Sequence, residues 1–281
     1  MLMISQTKKF VFMNPASIVL VILFTSLAIS CNPSSTSAKI NEKKSIVGTI
    51  VKTVKVDTVA KPLKYIYLTF DDGPLLGSED IDSVVLAEKL KINVFAVGRN
   101  VVLSPRLRNY YSMYESNPYI EMYNHSYTHA LNKYQKYYSN PQGVLNDINK
   151  NEDLLHLHYK IVRLPGRNIW RANNREKNFY DSSGAAAANL VAANGYKIYG
   201  WDIEWQHAKN GKPVQSVSKM VHEIETRLQT GNTFTPNNIV VLLHDEMFQT
   251  KMEENELKQL IDSLRLNQNY VFEHIRFYPE K

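Results

Sequence analysis

The 281-residue chain has a single cysteine, Cys31, which excludes internal disulfides and a cysteine-only metal site. It also lacks a concentrated basic patch and any nucleic-acid motif, although Lys and Arg together number 33 against 27 for Asp and Glu. That mild positive balance reads as solubility, with some attraction to anionic polymers. No internal repeat or low-complexity tract suggests a solenoid. The apolar run Ala16–Ser30 falls short of the roughly 20 residues that a membrane-crossing helix needs. What remains, at 44% hydrophobic and 21% charged residues, is an ordinary globular composition, long enough for one large domain or two small ones.

The first thirty residues have the layout of an export signal, with Lys8 and Lys9 ahead of the apolar run. Cys31 follows directly, preceded by Leu27, Ala28, Ile29 and Ser30, a stretch that resembles the lipobox of bacterial lipoproteins. The resemblance implies lipidation of Cys31, a membrane anchor and an extracytoplasmic location, in the periplasm or at the cell surface. The plainer alternative is a signal cut nearby that leaves Cys31 as a chance thiol. Residues 31–61 are rich in Ser, Thr, Lys and Val without helical period, and as a coil would form a tether of about 30 Å. The expected organisation is thus a signal over 1–30, a lipidated tether over 31–61 and one domain over 62–281.

From Tyr65 onward, short β-branched or aromatic runs alternate with helical patterns. Strands are predicted at 65–70, 93–97, 119–123, 160–164, 196–205, 238–244 and 270–275. Helices are predicted near 79–91, 105–116, 142–158, 183–194, 214–230 and 252–266. Asn140 and Pro141 would start the third helix, Ser182 or Ser183 would cap the fourth, and Gly195 and Gly231 would terminate two of them. Alternation of this kind calls for parallel strands with right-handed crossovers, and seven strands could close a small barrel.

The first predicted strand runs into "TFDDGP", where Gly73 and Pro74 end it just after Asp71 and Asp72. Two adjacent carboxylates repel unless a cation pairs with them. The third strand ends in "HSYTH", with His125 and His129 four apart; one helical turn would bring both imidazoles to one metal. Arg163 in "RLPG" and His244 in "LLHD" close the fourth and sixth strands. On the fifth, Asp202 and Glu204 are two apart and would share a face, with Trp205 at the exit. Nearly every chemical group therefore falls at a strand's C-terminal end, where barrels of alternating strands and helices place active sites.

In that order, "TFDDGP", "HSYTH", "RLPG", "WDIEW" and "LLHD" resemble the five motifs of the NodB-type polysaccharide deacetylases, carbohydrate esterase family 4, over about Tyr65 to Tyr270. The resemblance implies a distorted barrel of seven strands, the α/β (β/α)7 barrel of the NodB homology domain, and one divalent metal, Zn2+ first, with Co2+, Ni2+ or Mn2+ as alternatives. It makes Asp72, His125 and His129 the metal ligands, Asp71 the general base and His244 the general acid. Arg163 would position Asp71, the Gly166 amide would donate to the oxyanion, and Trp205 and Leu242 would wall the pocket. Glu204 stands where the family commonly has aspartate, and Gly166 where an aromatic residue is common. Asp202 is assigned to Arg163 and Glu204 to His244, and loss of an aromatic at Gly166 is expected to alter substrate preference more than catalysis.

The expected reaction is removal of acetyl groups from an N-acetylated glycan by a monomer. An O-acetyl esterase acting on xylan or a similar polysaccharide, and a non-catalytic glycan-binding lipoprotein, are the alternatives. The stretches at 166–182 and 134–138 interleave aromatics with polar residues, equally suited to sugar contacts or to polar loops anchored by buried aromatics. His156, His158, His207, His222 and His274 read as structural or solvated.

Overall fold

A computed structural model describes residues 61–178 and 183–280. Contacts divide the chain into two units, Met1–Asp57 and Thr58–Lys281, and all described residues fall in the second. The signal, Cys31, the tether up to residue 60 and Ser182 lie outside the described residues.

The strands and helices run β1 (Lys64–Asp71), α1 (Ser78–Glu88), β2 (Ile92–Ala96), α2 (Gly98–Leu103), α3 (Pro105–Ser116) and β3 (Ile120–Asn124). Next come α4 (Tyr134–Tyr138), α5 (Pro141–Leu155), β4 (Ile161–Val162), β5 (Ile169–Ala172), β6 (Arg175–Asn178) and α6 (Ala185–Ala193). The chain closes with β7 (Lys197–Ile198), β8 (Ile203–Glu204), α7 (Val217–Thr230), β9 (Asn238–His244), α8 (Lys251–Arg265) and β10 (Tyr270–Phe272).

The strands form one mixed sheet in the order β6-β5-β7-β4-β3-β2-β1-β9-β8, with β10 on β1. Seven of them, β7-β4-β3-β2-β1-β9-β8, are parallel neighbours, and the sheet curls into a half-barrel with helices around it, the NodB-type architecture that the motifs imply. Parallel strands buried on both faces read as continuous apolar runs, and β1 is buried from Ile66 to Asp71. Outside the sheet, α7 turns Met220, Ile224 and Leu228 inward at helical spacing, and α8 buries Leu257, Leu260, Ile261 and Leu264. Inside it, an aromatic plug contains Tyr67, Phe95, Tyr123, Trp170, Tyr199, Phe234 and Tyr278, with Trp170 stacked on Phe234 at 4.2 Å.

Two predicted strands differ from the observed ones. The run 196–205 splits into β7 and β8, because Gly200 leaves the chain room against Asn168 and Trp170 that no Cβ could share. The last run supplies only the short β10, paired to the first half of β1. An unpredicted hairpin, β5–β6, turns at Asn173 and Asn174, both at positive φ as a two-residue hairpin turn requires. The α5 cap is as predicted, the Asn140 side chain accepting from the Gly143 N–H at 3.0 Å. Gly184, not Ser182 or Ser183, is the residue ahead of α6, and no side chain caps it.

The split between β7 and β8 leaves main-chain carbonyls without sheet partners, and one side chain takes them up. Arg163, fully buried just after β4, donates from Nε to the Tyr199 carbonyl at 3.2 Å and from Nη2 to the Gly200 carbonyl at 2.8 Å. Its Nη1 donates to Thr69 Oγ1 at 2.7 Å and Asp71 Oδ1 at 2.8 Å. Removing a buried ion-pair partner typically costs about 3–5 kcal/mol, because the remaining charge is stranded. Urea unfolding of Arg163→Met should show a loss of that size, and Arg163→Lys should recover little of it, since an ammonium has no planar fork. A loss below about 1 kcal/mol would mean that the arginine does not bridge the split.

Candidate active site

Parallel register sets the site. Asp71 at the end of β1 lies opposite Phe95 of β2 and His244 of β9, Asn124 of β3 lies opposite Val162 of β4, and Glu204 of β8 lies opposite Leu242 of β9. One rim thus collects the strand ends into a cavity of about 670 Å³, lined by Asp71, Asp72, His125, His129, Gly166, Glu204, Leu242 and His244 among others.

The paired aspartates part ways through the backbone. Asp71 still belongs to β1, whereas Asp72 adopts φ 69, a left-handed conformation that aspartate tolerates better than most side chains. This local reversal is what brings both carboxylates to the cavity, and the Asn100 side chain fixes it by donating to the Asp72 carbonyl at 2.7 Å. Behind the turn, Gly73 packs against Asp245; a Cβ there would lie 2.6 Å from Asp245 Oδ2, so only glycine fits.

The histidine pair is not carried on a regular helical turn as expected. Ser126 has φ 64, and the four residues from His129 to Asn132 all have positive φ, between 49 and 58. Such runs cost roughly 1–2 kcal/mol per residue and persist only where the surroundings impose them. Asn124 and Asn151 do much of this. Asn124 Oδ1 accepts from the Ser126 N–H at 2.8 Å and from Asn151 Nδ2 at 2.9 Å, while Asp147 accepts from the Thr128 hydroxyl at 2.9 Å.

The outcome is convergence. One ligand atom each from Asp72, His125 and His129 lies within 4.8 Å of the others. His125 Nε2 and His129 Nε2 are 3.3 and 3.0 Å from Asp72 Oδ1, a buried oxygen that no hydrogen bond satisfies. His125 Nδ1 is 2.9 Å from the Arg163 carbonyl, so that nitrogen carries the hydrogen and Nε2 presents its lone pair. Three donors turned on one another around an unsatisfied carboxylate oxygen fit a divalent cation with an open position. Burial works against ionising Asp72, but the two imidazoles hold its carboxyl well below the usual range.

Residues 58–173 match the family model described as polysaccharide deacetylase. Over that segment the chain is similar to the polysaccharide deacetylases. The fold is shared with the catalytic domain of a peptidoglycan N-acetylglucosamine deacetylase from Eubacterium rectale, at 24% identity and TM-score 0.54 over 78% of this chain and 91% of that one. It is shared also with a family 4 carbohydrate esterase of Streptococcus mutans, at 21% identity and TM-score 0.55 over 75% and 85%. The chitin deacetylase of Colletotrichum lindemuthianum has the same fold at 14% identity and TM-score 0.52, over 75% and 87%. No curated protein matches the chain.

Within this site, several residues stand elsewhere than expected. Asp202 does not bond to Arg163: the strand break turns its carboxylate to the N–H groups of Phe234 at 2.6 Å and Val240 at 2.8 Å. Burial raises its pKa to about 6 although those two donors oppose the shift. Trp205 does not wall the cavity; it is fully buried, packs on Phe248 and donates to the Gln215 carbonyl at 2.8 Å, while Trp201 lines the cavity instead. Glu204 lies in the cavity, where burial and then Asp71 raise its pKa, and among the described residues no hydrogen bond joins it to His244.

His244 therefore has no carboxylate partner of the expected kind. Its Nδ1 is buried and unbonded, and burial pushes its pKa below the ordinary histidine value against the pull of Asp71 and Asp72. Its ring neighbour is His207, 4.8 Å away, which itself sits 3.2 Å from Glu246 Oε1. Sequence reasoning read His207 as structural or solvated, yet it lines the cavity; its place just past the fifth predicted strand was the available signal. Of the anticipated sugar-contact loop, Ile169, Trp170 and Ala172 are buried anchors of the hairpin.

Sequence reasoning also left Asp245 without a role. It is fully buried, accepting from the Ser78 hydroxyl and, at 3.0 Å, from the Tyr114 hydroxyl, with Oδ1 unbonded. Burial raises its pKa to about 7. An acid with a raised folded pKa contributes stability that is complete below its unfolded pKa near 4 and is lost as pH rises through its folded value. Asn cannot ionise and has nearly the same shape. In chelated protein, the stability of Asp245→Asn relative to wild type should thus climb between pH 4 and pH 7, by on the order of 4 kcal/mol. Thermal melts across that range check it, and a difference independent of pH would refute the neutral carboxyl.

Proposed function

We propose that this protein is a deacetylase that hydrolyses the acetamide of an N-acetylated glycan with the aid of one divalent metal, zinc first, held by Asp72, His125 and His129. The observation that carries the reading is the unsatisfied Asp72 oxygen facing the Nε2 atoms of two imidazoles, beside an Asp71 that Arg163 keeps for other work. When bound, the metal would polarise the acetyl carbonyl and acidify a water. Asp71, held by the Arg163 guanidinium, takes the proton of the attacking water. The Gly166 amide donates to the developing oxyanion, a class of contact worth about 3–4 kcal/mol. His244 lies in register across from Asp71 and, because burial holds its pKa down, passes a proton to the departing amine only from its minor protonated form.

An acetamide has a poor leaving group and needs that last step most. The names of the structural neighbours, a peptidoglycan and a chitin deacetylase, support an N-acetylhexosamine substrate. Purified protein should release acetate from N-acetylglucosamine oligomers or peptidoglycan faster than from O-acetylated xylan. Chelation should abolish release, Asp72→Asn should lose the metal, and Asp71→Asn should keep it while losing activity by roughly 10²–10⁴. Turnover in a chelated sample or after loss of His125 or His129 would rule out the metal reading, and preference for the xylan would make the protein an O-acetyl esterase.

The same reading places the domain outside the cytoplasm on a lipid anchor at Cys31, supported by the leader and the lipobox-like stretch. Cys31→Ala should then move the protein from the membrane fraction to the soluble one. If wild type is soluble as well, there is no anchor.

A further inference from the structure

Gly166 leaves a gap beside the ligand triad, and a ring from another segment fills it. A Cβ on Gly166 would meet Tyr134 Cε1 at 3.0 Å and Cζ at 3.1 Å, and φ +61 at this glycine already disfavours a side chain. Tyr134 opens α4, two residues beyond the left-handed run from His129 to Asn132. Its ring stands edge-on to the His129 imidazole, centroids 6.0 Å apart at 89°, with the Arg167 guanidinium 5.5 Å from the ring.

The other tyrosines of this helix are otherwise engaged. The Tyr138 hydroxyl donates to the Pro165 carbonyl at 2.6 Å, and that of Tyr137 to Asp147 at 3.1 Å. Tyr134 alone of the three lines the cavity, together with Leu242 and Trp201. A half-buried ring in a polar cavity, held by two packed neighbours and costing few rotatable bonds, is suited to the apolar face of a sugar.

We propose that Tyr134 is the substrate-stacking wall of the cleft and sets its affinity for an N-acetylhexosamine oligomer, in the space that Gly166 vacates. The inference rests on the glycan reading above. The test uses zinc-loaded protein and an N-acetylglucosamine tetramer, following kcat, KM, oligomer binding by calorimetry and zinc affinity by competition. Tyr134→Ala and Tyr134→Leu should raise KM and weaken oligomer binding about tenfold, the size of one lost ring contact. Their kcat should stay within about threefold and their zinc affinity within about twofold, and Tyr134→Phe and Tyr134→Trp should resemble wild type.

Unchanged KM and oligomer binding in Tyr134→Ala overturn the proposal. So does a loss of zinc affinity alone, which would make the ring a prop for His129. If wild type releases no acetate, the functional reading falls but the binding comparison still decides the wall. Weaker binding by Tyr134→Ala then supports it, and equal or absent binding overturns it.

Discussion

The structure depends on one buried guanidinium. Arg163 has no exposure, yet each of its nitrogens has an acceptor: two carbonyls where the sheet splits between β7 and β8, the Thr69 hydroxyl and the Asp71 carboxylate. Phe95 also packs against it, the guanidinium carbon 4.3 Å from the ring centroid. A charge this deep is costly unless fully paired, so its partners are fixed by the same energy that makes it expensive. The consequence for chemistry is that Asp71 is held at one orientation at the rim. The consequence for architecture is that an open sheet keeps its two free carbonyls satisfied at the edge where a closed barrel would have had a ladder.

Much of this was legible in the residues. Strand ends carrying Asp71, Asp72, His125, Arg163 and His244 could be placed on one rim because parallel strands joined by helices all point their C-terminal ends the same way. Spacing alone failed where the backbone left regular geometry. The two-apart argument for Asp202 and Glu204 assumed a continuous strand, and Gly200 breaks it. The four-apart argument for the histidines reached the right pair through the wrong path, since a left-handed run and not a helical turn joins them. Trp205 and Trp201 exchanged places for the same reason: past the break, the alternation of faces no longer follows from the strand before it. The β5–β6 hairpin was readable from two consecutive asparagines between apolar and polar runs, but its charged second strand, exposed throughout, looked like loop.

The strain in the site has a pattern. Asp72, Ser126 and His129 to Asn132 occupy left-handed conformations, and the first two are held by side chains anchored in buried structure, Asn100 on Asp72 and Asn124 with Asn151 on Ser126. Asn151 Oδ1 accepts from the Gly98 N–H and its Nδ2 donates to the Ala96 carbonyl, so one residue of α5 ties the ends of β2 and β3 to the histidine loop. Ligand placement is therefore a property of the asparagine network behind the rim as much as of the ligands. Energy spent holding those angles comes from packing elsewhere in the domain.

Charge sets the final constraint. Asp71 is balanced by Arg163, and Asp72 has two imidazoles for company. Asp245, immediately behind Gly73, would add a third negative charge to a site with nothing left to neutralise it. Burial removes that problem by keeping the carboxyl protonated up to about pH 7, where it can still accept from Ser78 and Tyr114 and so brace the aspartate turn. Three carboxyl groups of similar intrinsic acidity thus sit in three different settings within one rim. What separates them is a guanidinium beside the first, two imidazoles beside the second and only hydroxyls beside the third.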